Sequence, residues 1–173
     1  MPLVLVEEQV NIYQMPEAIT LPPYSQVTVG DLHGNTMKLL FMLVKHGVIK
    51  EMTDDIYELL VETYTFAHKE GLKDYIISWY VKALIELEYN PSIGIRLIGD
   101  ELCDRGSNDY LTLILLNQLH RNKVPVEIIL SNHGIDFLEA WEKGEAYRPA
   151  YFDENFGRSM YNLQQLIIVP LLV

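Results

Sequence analysis

Hydrophobic and polar positions follow two periods along the chain, and one order of segments recurs three times. In each segment a short apolar run, mostly β-branched, leads into a tight polar turn and then into apolar residues at helical spacing. The three segments are residues 25–47 (SQVTV-GDLHGN-TMKLLFMLVKHG), 94–120 (GIRLI-GDELCDRG-SNDYLTLILLNQLH) and 126–144 (VEIIL-SNHG-IDFLEAWEKG). Strands that alternate with helices at this spacing indicate βαβ units. We therefore predict an α/β fold with a largely parallel sheet flanked by helices.

A region with a different period separates the first two segments. Residues 53–89 keep a helical period that is interrupted at Gly71 and ends at Asn90-Pro91. This pattern predicts two helices, arranged as an antiparallel pair. We treat residues 1–173 as one domain, with residues 53–90 as a helical insertion between the first two βα units. The insertion is a candidate cap that would shape substrate choice.

Composition and charge narrow the function classes. A chain of 173 residues that is 49% hydrophobic can bury the core of one domain. The net charge of -11 and the lack of a Lys/Arg cluster argue against a nucleic-acid partner. The single cysteine cannot form an internal disulfide, and no apolar run reaches the roughly 18 residues of a membrane helix. We expect a cytoplasmic protein without a membrane span. The chain stops abruptly in an apolar run, LIIVPLLV, so we expect it to be truncated at the C-terminus.

The three polar turns contain side chains that can bind a metal and a phosphate. In parallel sheets, the loops beyond the carboxyl ends of the strands meet at one edge and form ligand sites. Asp31 and His33 alternate with Leu32 along the predicted end of the first strand, with Leu32 pointing away, so both side chains can face one ion. The full candidate set is Asp31, His33, Asp100, Asp104, Arg105, Asn132 and His133. Carboxylate, imidazole and amide groups suit Mn, Fe or Zn.

The same residues suit the hydrolysis of a phosphoester. Arg105 can grip phosphate oxygens in a bidentate manner. His133 is placed to protonate the leaving oxygen, and Asp104 could hold its other ring nitrogen. Asp100 has two oxygens and could bridge two ions, which would activate water and neutralise charge. Asp31 and His33 alone would be better explained as turn residues, but the three loops together favour a metal site.

The turns resemble three motifs of the calcineurin-like metallophosphoesterases, and more narrowly of the serine/threonine phosphoprotein phosphatases: G-D-x-H-G, G-D-x-x-D-R-G and G-N-H-E. Here they stand as GDLHG, GDELCDRG and SNHG. The resemblance implies a β-sheet sandwich flanked by helices, two divalent metal ions with Mn²⁺ foremost, and a phosphorylated protein as substrate. The implied metal ligands are Asp31, His33, Asp100 and Asn132. The implied catalytic residues are His133, Asp104 and Arg105. The implied phosphate contacts are Arg105, Asn132 and His133.

The chain departs from these motifs at several positions. Three residues separate Asp100 from Asp104, whereas the motif has two. Ser131 and Gly134 replace the usual Gly and Glu of the third motif. The family supplies two further histidines from its C-terminal half, but no histidine follows His133 in this sequence. The second metal site is therefore incomplete in this chain.

Three hypotheses about function follow from these residues. The leading one is a phosphomonoester hydrolase, most simply a protein serine/threonine phosphatase that uses a metal-bound hydroxide. Tyrosine phosphatase or nucleotide polyphosphate hydrolase activity is the alternative within the same fold. An alternative of another class is a catalytically impaired, phosphatase-like binding module. The altered motifs also resemble divergent phosphatases that intracellular bacteria deliver as effectors, which would place the protein in a host cytosol.

Overall fold

The computed structural model describes residues 9–102 and 108–143, which form strands and helices in the predicted alternation. In chain order the elements are β1 (Gln26–Val29), α1 (Thr36–Lys45), β2 (Ile49–Lys50), α2 (Asp54–Glu70), α3 (Asp74–Ile85), β3 (Glu88–Tyr89), β4 (Gly94–Leu97), α4 (Asp109–Arg121), β5 (Val126–Ile128) and α5 (Asn132–Lys143). None of the described helices is both long and apolar enough to cross a membrane.

The central sheet has three parallel strands in the order β1-β4-β5. Val27 lies opposite Ile95, and Leu97 lies opposite Ile128. Each strand leads into a helix, so the three strands end at one edge of the sheet. The α/β fold and the parallel sheet are therefore confirmed. The described residues also contain one short antiparallel pair, β2 with β3, and the second sheet of a sandwich stays a prediction.

Local sequence explains where the first helices begin. Asn35 accepts a hydrogen bond from the backbone N–H of Lys38 at 3.0 Å, so α1 begins at Thr36. Thr53 caps α2 in the same way, through the backbone N–H of Ile56. Both caps satisfy amide groups that have no partner within the helix.

The predicted helical pair is present as α2 and α3, joined by residues 71–73. β2 precedes the pair and β3 follows it, and these two strands pair with each other, with Ile49 opposite Tyr89. Two-residue strands are too short to show a period in the sequence, so the pattern did not predict them. Tyr57 and Tyr80 are fully buried in the same hydrophobic core as the sheet. The pair is thus part of the core of the domain, and its role as a substrate cap stays a prediction.

A buried polar network lies where α1 and α4 begin. The hydroxyl oxygens of Thr36 and Thr112 are 2.7 Å apart, and both side chains are completely buried. The Thr112 hydroxyl lies 3.3 Å from the carbonyl oxygen of Gly34, to which it can donate. Asn108 donates its side-chain amide to the carbonyl oxygen of Tyr64 on α2. The network joins the turn after β1 to the start of α4 and to the helical pair.

Thr112→Val should lower the free energy of unfolding by about 1–3 kcal/mol, because valine keeps the shape but leaves buried polar groups without their partner. The loss is measured by urea unfolding followed by circular dichroism. Thr112→Ser, which keeps the hydroxyl and loses one methyl group, is the control. A valine variant as stable as the wild type would show that the network contributes nothing to stability.

Candidate metal centre

The turn after β1 is built from backbone conformations that few residues adopt. Asp31 has φ 43°, His33 has φ 51° and Gly34 has φ 68°. Residues other than glycine rarely take positive φ, and such residues cluster at functional sites. Lys38 on α1 holds the turn, because its ammonium group donates to the carbonyl oxygens of Gly30 at 3.0 Å and Asp31 at 2.8 Å.

This turn differs in one respect from the sequence-based expectation. The alternation of Asp31 and His33 with Leu32 was predicted along the end of a strand. β1 instead ends at Val29, and the three residues lie in the turn that follows. Leu32 is nonetheless buried, whereas Asp31 is exposed and His33 is partly exposed. The separation of the two polar side chains from the leucine is therefore as expected, although the backbone that produces it is different.

The turn after β4 packs directly against the turn after β1. The His33 N–H donates to the carbonyl oxygen of Asp100 at 2.6 Å, and the Gly34 N–H donates to that of Glu101 at 3.4 Å. Gly99 has φ 149°, and a Cβ atom at this position would lie 2.5 Å from an Asp31 carboxylate oxygen. The Asp31 carboxylate therefore lies against the backbone next to Asp100. Glycine at residue 99 makes this close approach possible.

Three side chains from the three loops converge at the edge of the sheet. They are His33, Asp100 and His133, whose potential ligand atoms all lie within 4.8 Å of one another. One Asp100 oxygen, Oδ2, lies 3.8 Å from His33 Nδ1 and 3.7 Å from His133 Nε2. The two imidazole rings meet edge to face, with their centroids 6.1 Å apart. The side chains are partly buried, so the site is shielded yet accessible.

These three residues fit a divalent metal ion. Two ligand atoms that each bind an ion at about 2.0–2.2 Å lie up to about 4 Å apart, which is compatible with the separations around Asp100. Imidazole and carboxylate ligands together suit Mn, Fe or Zn. The acidic residue lies between the two histidines, so its charge also favours a cation there.

The other predicted site residues fall into two groups. Asp31 and Asn132 are exposed neighbours of the converging side chains: Asp31 lies against Gly99, and Asn132 is the first residue of α5, before His133. Asp104 and Arg105 lie outside the described residues, and their assigned roles stay predictions.

Sequence reasoning missed Glu101. This residue is buried, with only 5% of its surface exposed. Its carboxylate accepts a hydrogen bond from the Ser131 hydroxyl at 2.9 Å, and that hydroxyl accepts one from the Gly134 N–H at 3.0 Å. Two features of the sequence could have indicated a role for Glu101: the extra residue in GDELCDRG, and the glycine at the position where the third motif has glutamate.

Comparisons with known proteins agree with this fold. Residues 94–171 match the family model described as the WipA-like phosphatase domain. The crystal structure of the phosphatase domain from the Legionella effector WipB is similar to 86% of this chain at 31% sequence identity, with a TM-score of 0.69. The chain covers 55% of the length of that solved chain. No curated protein sequence gave a significant match.

These comparisons bear on part of what the motifs predicted. The mixed α/β fold is similar to that of a phosphatase domain, and the expected likeness to effector phosphatases is supported. The broader resemblance to the calcineurin-like superfamily stays a prediction, as do metal dependence and the choice between serine/threonine and tyrosine substrates.

Proposed function

We propose that this chain is a metal-dependent phosphatase domain that hydrolyses phosphomonoesters. The observation that carries the proposal is the convergence of His33, Asp100 and His133 where three parallel strands end. The similarity of the chain to WipA-like and WipB phosphatase domains supports the same chemistry. One fold can host several reactions, so the geometry of the site supports this chemistry more directly than the fold does.

His33 and Asp100 are the central metal ligands of the proposal, with Asp31 and Asn132 beside them. A bound divalent ion, Mn²⁺ first with Fe or Zn as alternatives, would lower the pKa of a water molecule and neutralise charge on the phosphate. Asp100 directs one oxygen toward both histidines, and its second oxygen would take the bridging role if two ions bind. The motifs imply two ions, of which the second has the fewer ligands in this chain.

His133 is the proposed general acid. Its Nε2 lies in the site at the start of α5, 3.7 Å from Asp100 Oδ2, where it could donate a proton to the leaving oxygen of a bound phosphoester. By motif position, Asp104 would hold the other ring nitrogen and Arg105 would grip the phosphate. With Asn132 and His133, Arg105 would orient the phosphorus for attack opposite the leaving group.

Phosphoserine or phosphothreonine on a protein is the proposed substrate class, and phosphotyrosine or a nucleotide polyphosphate is the alternative. The test begins with p-nitrophenyl phosphate and added Mn²⁺, with chelator as the blank. It continues with two peptides of one sequence that carry either phosphoserine or phosphotyrosine, and with a dinucleotide polyphosphate. Metal-dependent turnover supports the phosphatase, and the preferred compound identifies the substrate class.

A phosphatase-like binding module is the second candidate. Two features of the sequence favour a binding module. The third motif is altered at Ser131 and Gly134, and the second ion has few ligands in this chain. Calorimetry with the phosphopeptides separates the two functions. Phosphopeptide binding without phosphate release, at every metal tested, would replace the enzyme proposal by the binding module.

A further inference from the structure

We infer that Glu101 is a positioning residue, which holds the first turn of α5 in place and so fixes His133 next to Asp100. The inference rests on the proposed function, because it assigns a role within the same site. Glu101 is one of the few charged side chains buried among the described residues. Burial of a carboxylate costs free energy unless hydrogen bonds or a favourable electrostatic field compensate. The surroundings of Glu101 should therefore contain groups that stabilise it.

Glu101 lies where the three loops meet. It follows Asp100 directly, and its carbonyl oxygen accepts the N–H of Gly34 from the turn after β1. Its carboxylate oxygen Oε2 accepts the hydroxyl of Ser131, the residue before α5. One residue therefore links the loop of His33, the loop of Asp100 and the loop of His133.

The first turn of α5 is shaped to receive this carboxylate. A Cβ atom on Gly134 would overlap Oε1 of Glu101 and would also touch Leu130 at 3.0 Å. The third motif of the resembled family has glutamate at this position, whereas here glycine leaves the space and Glu101 fills it from the loop after β4. The helix N-terminus favours a negative charge, and the Ser131 hydroxyl satisfies one oxygen.

The arrangement constrains His133 directly. The Ser131 hydroxyl donates a hydrogen bond to Glu101 and accepts one from the Gly134 N–H. His133 lies between Ser131 and Gly134 in the chain, so these two bonds hold the segment that contains it. If the carboxylate is removed, the first turn of α5 loses its attachment to the loop that contains Asp100. The 3.7 Å separation of His133 Nε2 from Asp100 Oδ2 would then no longer be fixed.

Glu101→Ala should weaken Mn²⁺ binding by about 10–100-fold, because the first turn of α5, which supplies the proposed metal ligand Asn132 next to His133, would no longer be held in place. Calorimetry measures the affinity, and turnover of p-nitrophenyl phosphate is followed in parallel. Glu101→Gln keeps the volume and an oxygen acceptor for Ser131, so it should restore most of both. Glu127→Gln on β5, which removes the charge of an exposed partner of Arg96, is the control and should change neither.

Gly134→Ala tests the same contact from the other side. Alanine would stabilise an ordinary helical position by up to about 1 kcal/mol relative to glycine. Here it should instead destabilise the protein and weaken Mn²⁺ binding, because its methyl group displaces the Glu101 carboxylate. In the double variant Glu101→Ala/Gly134→Ala, the second substitution should cost little, which gives a clear coupling in the unfolding free energy and the Mn²⁺ affinity.

Three outcomes would overturn the inference. They are an unchanged Mn²⁺ affinity in Glu101→Ala, a loss in Glu101→Gln as large as that in Glu101→Ala, or additive effects in the double variant. Failure of the proposed function has a different signature. A wild-type chain that binds Mn²⁺ but releases no phosphate would remove the phosphatase proposal, while the affinities and unfolding energies would still decide the role of Glu101.

Discussion

Asp100→Asn will abolish metal-dependent hydrolysis of p-nitrophenyl phosphate and weaken Mn²⁺ binding by about 100-fold or more. Loss of a residue that only supports a metal ligand typically weakens metal binding by about 10–100-fold, so loss of a ligand itself should weaken it at least as much. Asp100 Oδ2 lies within 3.8 Å of both His33 Nδ1 and His133 Nε2, so the charge of this carboxylate acts on both histidines. An amide cannot supply that charge or bridge two ions in the same way.

The substitution is conservative for the backbone. Asp100 has φ 24°, and asparagine tolerates positive φ at least as well as aspartate does. The variant should therefore unfold at a similar urea concentration to the wild type, measured without metal. Glu88→Gln, which removes the charge of an exposed partner of Lys50 in the β2–β3 pair, outside the site loops, is the control. Unchanged Mn²⁺ affinity in Asp100→Asn would show that the ion binds elsewhere or that Asp100 is not a ligand.

His133→Asn will lower kcat on a phosphoserine peptide by about 10²–10⁴-fold, the usual contribution of general acid catalysis. The alkoxide of serine is a poor leaving group and needs a proton, whereas p-nitrophenolate leaves without one. The loss on p-nitrophenyl phosphate should therefore be much smaller. Steady-state kinetics on both substrates, with Mn²⁺ affinity measured by calorimetry, provides the comparison.

The outcome also separates the two roles that the geometry allows for His133. Equal losses on both substrates, together with weaker Mn²⁺ binding, would make His133 a metal ligand, as its place in the three-residue group also permits. His120→Asn is the matched control, because this exposed histidine lies near the end of α4. It should leave both kinetics and metal affinity unchanged.

Much of the fold followed from local patterns. β-branched runs and polar turns located β1, β4 and β5, and parallel pairing then placed the loops after them at one edge. His33, Asp100 and His133 were therefore expected to meet, and the structure brings them together. This inference needed only strand order and side-chain type, which the sequence carries directly.

The remaining features depend on contacts between residues that are distant in sequence. The α4 cap is one example: Asn108 precedes the helix, but its side chain donates to Tyr64 on α2 and makes no capping bond. Glu101 is another, since its partner Ser131 follows it by thirty residues. Lys38 holds the turn after β1 from within α1, which helical periodicity does not reveal. Tertiary packing decides such positions, so a single sequence does not predict them.

The way α2 and α3 share the core limits how this protein can diverge. Leu60 and Ile76 of the pair are fully buried in the common core, where α2 packs on α1 and α3 packs on α4, so replacement of the pair by unrelated helices would require matched changes in those two helices. Substitutions that leave folding intact should therefore fall on the outer surface of the pair. There the ring of Tyr75 packs edge to face on that of Trp79, and both side chains are exposed. Homologues that carry this helical pair should therefore keep its inner face and differ mainly on the outer one.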